Sequence, residues 1–282
     1  MAMRFGELEL TTVSGGRLRL DGGTMFGVVP RPLWEKVCPP DEKHRVQMDT
    51  NCLLVHAGKH TILIDTGYGS KLDEKARAIN AAEEGNPLLR NLAALGVQPG
   101  DITMVIFTHL HFDHAGGSTF FDNGMLKPVF PNAKHFVQRT EWDDATGNIP
   151  ELMGSYFVND FLPVEEAGLI ELIDGDAEIL PNIRVRLVGG HTRGQQIVYL
   201  GRGDQQAVYL ADLCPFPAHL RTFWSMSYDQ FPLQQRRMKP IVLGEAADHG
   251  WPVLFDHDPT TRAATITRDT KREFVVKDSI NL

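Results

Sequence analysis

Cysteine is scarce. The 282 residues hold three, Cys38, Cys52 and Cys214, with no Cys-x-x-Cys pair. That argues against a disulfide scaffold and a thiolate zinc site, and each thiol reads as a small buried hydrophobe. Positive charge is also short. Lys and Arg number 28 against 36 Asp and Glu, the net charge is −8, and the longest basic cluster is Arg236-Arg237-Met238-Lys239. A nucleic-acid partner is therefore not expected. No run of 18 apolar residues occurs, so no membrane span is expected. Glu7 stands where a signal peptide would carry its apolar core, which leads us to expect a cytoplasmic protein. There is no repeat of solenoid period and no low-complexity tract.

What is present is ordinary globular usage, 42% hydrophobic and 23% charged. A chain of this length can bury roughly 75% of the surface its unfolded form exposes. It needs no metal merely to fold, so a metal site here would be a working one. Length alone permits one large domain or two small ones; we expect a single domain over residues 1–282.

Residues 8–20 read as two short strands around Ser14-Gly15-Gly16, a hairpin-type turn. Residues 22–40 read as irregular, with Met25, Phe26 and Trp34 as large apolar anchors. Such a loop is either functional or pinned to the surface by those anchors. Residues 51–55 and 61–65 read as adjacent strands joined by a Gly58 turn, and 71–82 and 87–95 as helices. Leu88, Leu89, Leu92 and Leu95 recur at helical spacing before Gly96 and predict a core stripe. Strands are expected at 104–107, 135–138, 183–187, 197–200 and 207–211, and helices at 140–146, 151–161 and 233–249. Two runs of strands, each followed by helix, suggest two packed sheets with helices outside.

The densest polar group is Thr108-His-Leu-His-Phe-Asp-His-Ala-Gly-Gly117, at the end of an apolar strand. His109 and His111 are two apart, so an extended backbone points both to one side. Asp113 and His114 follow after the chain must bend. Four such side chains would be costly to bury uncompensated. A divalent cation is the economical partner, and imidazole with carboxylate but no thiolate suits zinc, iron, nickel or manganese. The alternative is a His-rich surface loop. Three further donors stand alone at strand ends: His191 after Val188-Gly-Gly, Asp212 after Leu210-Ala, and His257 after Leu254-Phe-Asp.

The pattern His109-x-His111-x-Asp113-His114, then His191, Asp212 and His257, resembles the metallo-β-lactamase superfamily, as does Leu63-Ile-Asp65-Thr-Gly67. The resemblance runs from about Asn51 to Pro259. It implies an α+β fold, a four-layer αβ/βα sandwich of two packed mixed sheets with outer helices. It also implies two divalent metal ions, zinc favoured, with iron, manganese, nickel or cobalt as alternatives. By that resemblance His109, His111 and His191 hold the first ion. Asp113, His114 and His257 hold the second, and Asp212 bridges them. Asp65 would steady a ligand imidazole, or be a plain turn aspartate. The lactonase-like hydrolases, including N-acyl-homoserine lactone lactonases and some phosphotriesterases, are the branch that matches best. After His191 the chain reads Thr-Arg-Gly-Gln-Gln rather than the common Thr-Pro-Gly-His. Pro215 stands where some lactonases carry a tyrosine three residues after the bridging aspartate.

The expected function is hydrolysis of a lactone or ester, with N-acyl-homoserine lactones favoured. A metal-bridging hydroxide would attack the carbonyl, and Asp113 would take and return the proton as the catalytic acid–base. Phosphotriester or phosphodiester hydrolysis at the same centre is the alternative, and a non-catalytic metal-binding scaffold is a third reading. Residues 214–251 form an insertion carrying Phe216, His219, Phe223 and Trp224. With Met25, Phe26 and Trp34 it would shape a small-molecule substrate pocket; core or dimer packing is the competing reading. The expected partner is a small-molecule substrate, and a homodimer stays open.

Overall fold

The computed structural model describes residues 2–152 and 154–282. The chain forms two compact units, one of Ala2–Arg17 with Thr50–Gly175, the other of Leu18–Asp49 with Asp176–Leu282.

The first unit is built on strands β1 (Met3–Phe5), β2 (Leu8–Asp21), β3 (Arg45–Ala57), β4 (His60–Ile64) and β5 (Met104–Ile106), a hairpin β6 (Thr119–Asp122) and β7 (Met125–Pro128), and strands β8 (Lys134–Gln138) and β9 (Ile170–Ile173). The sheet order is β1-β2-β3-β4-β5-β8-β9, and β2 and β3 contribute residues to both units. The β4, β5, β8 and β9 pairings are parallel. Parallel strands are covered on both faces, which is why Ile62-Leu63-Ile64 and Val105-Ile106 are continuously apolar and buried. Helix Pro87–Ala94 closes one face. Asn86 caps it by accepting from the Leu89 N–H at 3.1 Å, and Pro87 opens it. Leu88 and Leu92 enter the core beside Phe107, Leu110 and Phe130. Leu95, expected in that stripe, is half exposed, because the helix ends at Ala94 and the chain turns outward there.

The second unit carries β10 (Ala177–Leu180), β11 (Ile183–Leu187), β12 (Gln196–Arg202), β13 (Gln205–Tyr209), β14 (Val253–Leu254), β15 (Ala263–Asp269) and β16 (Glu273–Ile280), ordered β10 to β16 across one sheet. All its pairings are antiparallel except β13 with β14. That parallel step needs a crossover, and helix Pro232–His249 supplies it. Its Val242, Leu243 and Ala246 pack with Val208, Val253, Ala264 and Ile266. Gly250, left-handed at φ 67°, ends the helix by donating to the Ala246 carbonyl.

Several local expectations are corrected. Ser14-Gly15-Gly16 is no turn, since β2 runs unbroken through it. The glycines are there for close approach: a Cβ on Gly15 would lie 2.9 Å from the Gly67 Cα, and one on Gly16 would meet the Tyr68 hydroxyl. Residues 22–40 are not wholly irregular. Asp21 accepts from the Thr24 N–H at 2.9 Å and starts helix Gly22–Phe26, and Pro30 leads into helix Arg31–Trp34. The helix expected over 71–82 is shorter, Glu74–Asn80, beginning at its Asp73 cap. The one expected over 151–161 is two single turns, Pro150–Leu152 and Val158–Asp160; residue 153 lies outside the described residues. The β6–β7 hairpin, which is not among the expected strands, turns at Asn123-Gly124. Both residues take the positive φ that a tight hairpin turn needs.

Candidate metal centre

In the first unit the candidate donors gather where β4 and β5 end. Asp65 follows β4 with φ at 56°, a left-handed conformation that a short polar side chain tolerates. Its Oδ1 accepts from the Thr108 N–H at 2.8 Å, and its Oδ2 accepts from the Thr108 hydroxyl at 2.8 Å and from His114 Nδ1 at 2.9 Å. Asp65 thus clamps the start of the histidine segment and one imidazole in it. His109 and His111, the latter extended at φ −64° and ψ 156°, precede helix Phe112–Ala115, which carries Asp113 and His114. The His109 ring centroid lies 4.5 Å from that of His111 and 4.0 Å from that of His114. Asp113 Oδ1 is 3.9 Å from His114 Nε2. Buried Glu141, which the sequence reading missed, accepts from the Leu110 N–H at 2.9 Å and holds the peptide between the two leading histidines. Glycines let the chain double back after His114: a Cβ on Gly117 would stand 2.0 Å from the Thr66 carbonyl oxygen.

In the second unit two imidazoles meet around one carboxylate. Asp212 lies just past β13, after Ala211, which takes a left-handed φ of 48°. A left-handed alanine is strained by roughly 1–3 kcal/mol, a cost found where geometry at a site is imposed. Asp212 Oδ2 is 2.9 Å from His191 Nε2, and Oδ1 is 3.2 Å from His257 Nε2. Each imidazole is fixed from its other side. His191 Nδ1 donates to Asp229 Oδ1 at 3.0 Å, and His257 Nδ1 donates to the Asp49 carbonyl at 3.0 Å. With Nδ1 donating, each neutral ring offers an Nε2 lone pair to an oxygen lone pair of Asp212. Two lone pairs at such a distance need a positive charge between them, a proton or a metal ion. Burial works against protonating His191, yet Asp212 and then Asp229 outweigh it and raise its pKa to about 10. The donor set therefore fits divalent cations, and the proton on metal-free His191 takes the place that a cation would fill.

The residues expected to shape a pocket lie in this second unit. Phe26 stacks on Trp34 at 5.3 Å and on His219 at 5.0 Å, and meets Phe216 and Trp224 at 6.4 and 5.8 Å. His219 Nε2 donates to the Met25 carbonyl at 2.9 Å. Burial, with the Lys239 charge, depresses the His219 pKa to about 3. These six are buried together, whereas Phe223 is 57% exposed with the Arg236 guanidinium over its ring. Phe216 and Trp224 also line an open cleft of about 340 Å³, with Cys38, Arg221 and Asp258.

Asp229, Asp256 and the Asp49 carbonyl were missed as well. Asp256, beside His257 in the chain, carried a readable signal, a buried-type carboxylate in Phe255-Asp256-His257; the other two did not. Among the described residues no helix is long and apolar enough to cross a membrane.

The family model described as "Metallo-beta-lactamase superfamily" matches residues 45–272. An N-acyl homoserine lactonase of Bacillus thuringiensis is 28% identical over 169 residues, 56% of this chain and 61% of the relative. The chain thus matches about three fifths of that curated relative. The N-acyl homoserine lactonase AttM of Rhizobium radiobacter is 30% identical over 118 residues, 39% of this chain and 41% of the relative. The solved structure of a "probable metal-dependent hydrolase" from Staphylococcus aureus superposes with a TM-score of 0.89 at 28% identity, covering 99% of this chain and 100% of the other. AidC, a dizinc quorum-quenching lactonase in complex with a product, shares the fold with a TM-score of 0.77 at 23% identity, covering 100% of this chain and 98% of the other.

Proposed function

Because the chain belongs to the metallo-β-lactamase superfamily and has its α+β fold, with two seven-stranded mixed sheets and helices, we propose that it is a metal-dependent hydrolase of lactones, with N-acyl-homoserine lactones as the favoured substrates. The carrying observation is the Asp212 carboxylate, with one oxygen facing His191 Nε2 and the other His257 Nε2, each ring oriented from its Nδ1 side. The matched region spans both units, which supports reading the chain as one catalytic domain.

In this reading the two donor sets serve one dinuclear centre, zinc being the favoured metal. His109, His111 and His191 hold one cation; Asp113, His114 and His257 hold the other; Asp212 serves both. Bound there, the cations supply Lewis acidity to the scissile carbonyl and lower the pKa of water towards neutrality. The protein does the rest. Asp65, Asp229 and the Asp49 carbonyl keep the imidazoles in the tautomer that offers Nε2. Asp113 accepts the proton of the attacking water and delivers it to the leaving oxygen of the opened ring. No tyrosine follows Asp212 at position 215, where proline stands, so the carbonyl is activated without that hydroxyl.

The test is a substrate panel on metal-replete full chain: hexanoyl and decanoyl homoserine lactones, an aryl ester and a phosphotriester, with metal content from elemental analysis. Two metal ions per chain and preferred turnover of the lactones are expected. A protein that binds no divalent ion, or whose turnover survives complete chelation, would refute the reading. Preferred turnover of the phosphotriester would move the substrate assignment to phosphorus and leave the centre in place.

A further inference from the structure

The residue before the last histidine is itself a buried acid. Asp256 is 1% exposed, on the short segment that follows β14. Its Oδ2 lies 3.6 Å from His257 Nε2, the nitrogen that also faces Asp212 Oδ1 at 3.2 Å. Asp212, Asp256 and His257 each offer a ligand atom, and these atoms all lie within 4.8 Å of one another. Two donors bound to one ion at about 2.0–2.2 Å stand roughly 3–3.5 Å apart in a tetrahedral or octahedral site. The separation from Asp256 to His257 is close to that spacing. The aspartate on the other side of His257 is used differently: Asp258 Oδ1 accepts from the Thr260 and Thr261 N–H groups and shapes the following turn. Asp49, whose carbonyl orients His257, gives its own carboxylate to Arg262 at 3.1 Å.

We propose that Asp256 is an additional ligand of the cation held by His257, and that it makes this position harder than its neighbour. The inference rests on the dinuclear reading above. Its physical basis is donor type. With Asp256 this cation has three carboxylates, Asp113, Asp212 and Asp256, beside two imidazoles, a set that suits manganese better than the imidazole-dominated set of its neighbour, whose three histidines suit zinc. A further carboxylate also supplies charge that balances a hard dication, and the cation in turn offsets the cost of burying that carboxylate. Asp256 thus narrows the ordinary advantage of zinc over manganese at one of the two positions and leaves the other unchanged.

The experiment is metal competition on the full chain. Wild type, Asp256→Asn and Asp256→Ser are stripped with chelator and dialysed against fixed mixtures of Mn²⁺ and Zn²⁺. Occupancy is read by elemental analysis and bound Mn²⁺ by its electron paramagnetic resonance signal. We expect the Mn²⁺ to Zn²⁺ ratio to fall about tenfold or more in both variants, within the range that loss of a coordinating or supporting group produces. Total occupancy in zinc alone should stay near two. Unchanged ratios in folded variants would overturn the assignment of Asp256 while leaving the hydrolase reading intact. Wild type that takes up neither metal would overturn the dinuclear reading itself. Should both variants fail to fold, wild type decides, because zinc filling both positions to the exclusion of manganese in every mixture overturns the proposal.

Discussion

Asp229 makes two hydrogen bonds with two oxygens, and Asp229→Ala removes both. Oδ1 holds His191 Nδ1 at 3.0 Å, and Oδ2 accepts from the Met226 N–H at 3.1 Å. Two effects follow and can be separated. Without Oδ1 the His191 ring is no longer held with Nε2 towards Asp212, and loss of such a partner lowers metal affinity by about 10–100-fold, or about 1.4–2.7 kcal/mol. Without Oδ2 a buried N–H loses its acceptor, at a cost of about 1–3 kcal/mol of fold stability. Asp229→Asn keeps one accepting oxygen and so repairs one bond at most; it should fall between wild type and alanine in affinity. Competition against a chromophoric chelator reads the first effect, and urea denaturation of the metal-free protein reads the second. A folded Asp229→Ala protein whose zinc affinity stays within twofold of wild type would refute the argument that the insertion orients His191.

Four further outcomes are expected. The double variant His109→Ala with Asp113→Asn should lose at least one metal ion per chain in elemental analysis together with its lactone turnover. Leu92→Ala, at a fully buried core position, should cost about 2–5 kcal/mol in denaturant titration without changing metal stoichiometry. Gly117→Ala should destabilise the protein by at least about 1–3 kcal/mol and lower metal affinity, because the new methyl collides with the Thr66 carbonyl oxygen just after the ligand segment. Acid sensitivity should show a histidine component. Burial holds His135 down to about 4, and burial with the Lys239 charge holds His219 down to about 3. Both are neutral when folded, whereas the unfolded chain takes up protons near pH 6.5. The stability they contribute is complete above about pH 6.5 and falls below it, by about 2 kcal/mol for each group by pH 5. His135→Gln should flatten the pH 5–6.5 slope in denaturation midpoints; an unaltered slope would show that His135 titrates normally.

The candidate donors could be picked out in sequence to the extent that backbone periodicity governs them. His109 and His111 share a side because an extended chain repeats every two residues. Asp113 and His114 differ from that pair because a short helix starts at Phe112, just after His111. Single donors after apolar runs, His191, Asp212 and His257, were readable because strand ends are where a sheet delivers loop residues. The same local reasoning failed at Ser14-Gly15-Gly16. Glycine signals either a turn or a close approach, and only Thr50, Gly67 and Tyr68, distant in sequence, decide for close approach.

Spacing alone could not show what orients those donors. Asp229 reaches His191 across 38 residues, and the Asp49 carbonyl reaches His257 across 208. A backbone carbonyl leaves no mark in the side-chain pattern, and an aspartate in an insertion looks like any solvated acid until the chain folds around it. Residue types and short-range order determined the chemistry that this protein has to offer. Tertiary structure alone decided which nitrogen of each imidazole is turned towards Asp212, because that choice belongs to partners brought together by packing.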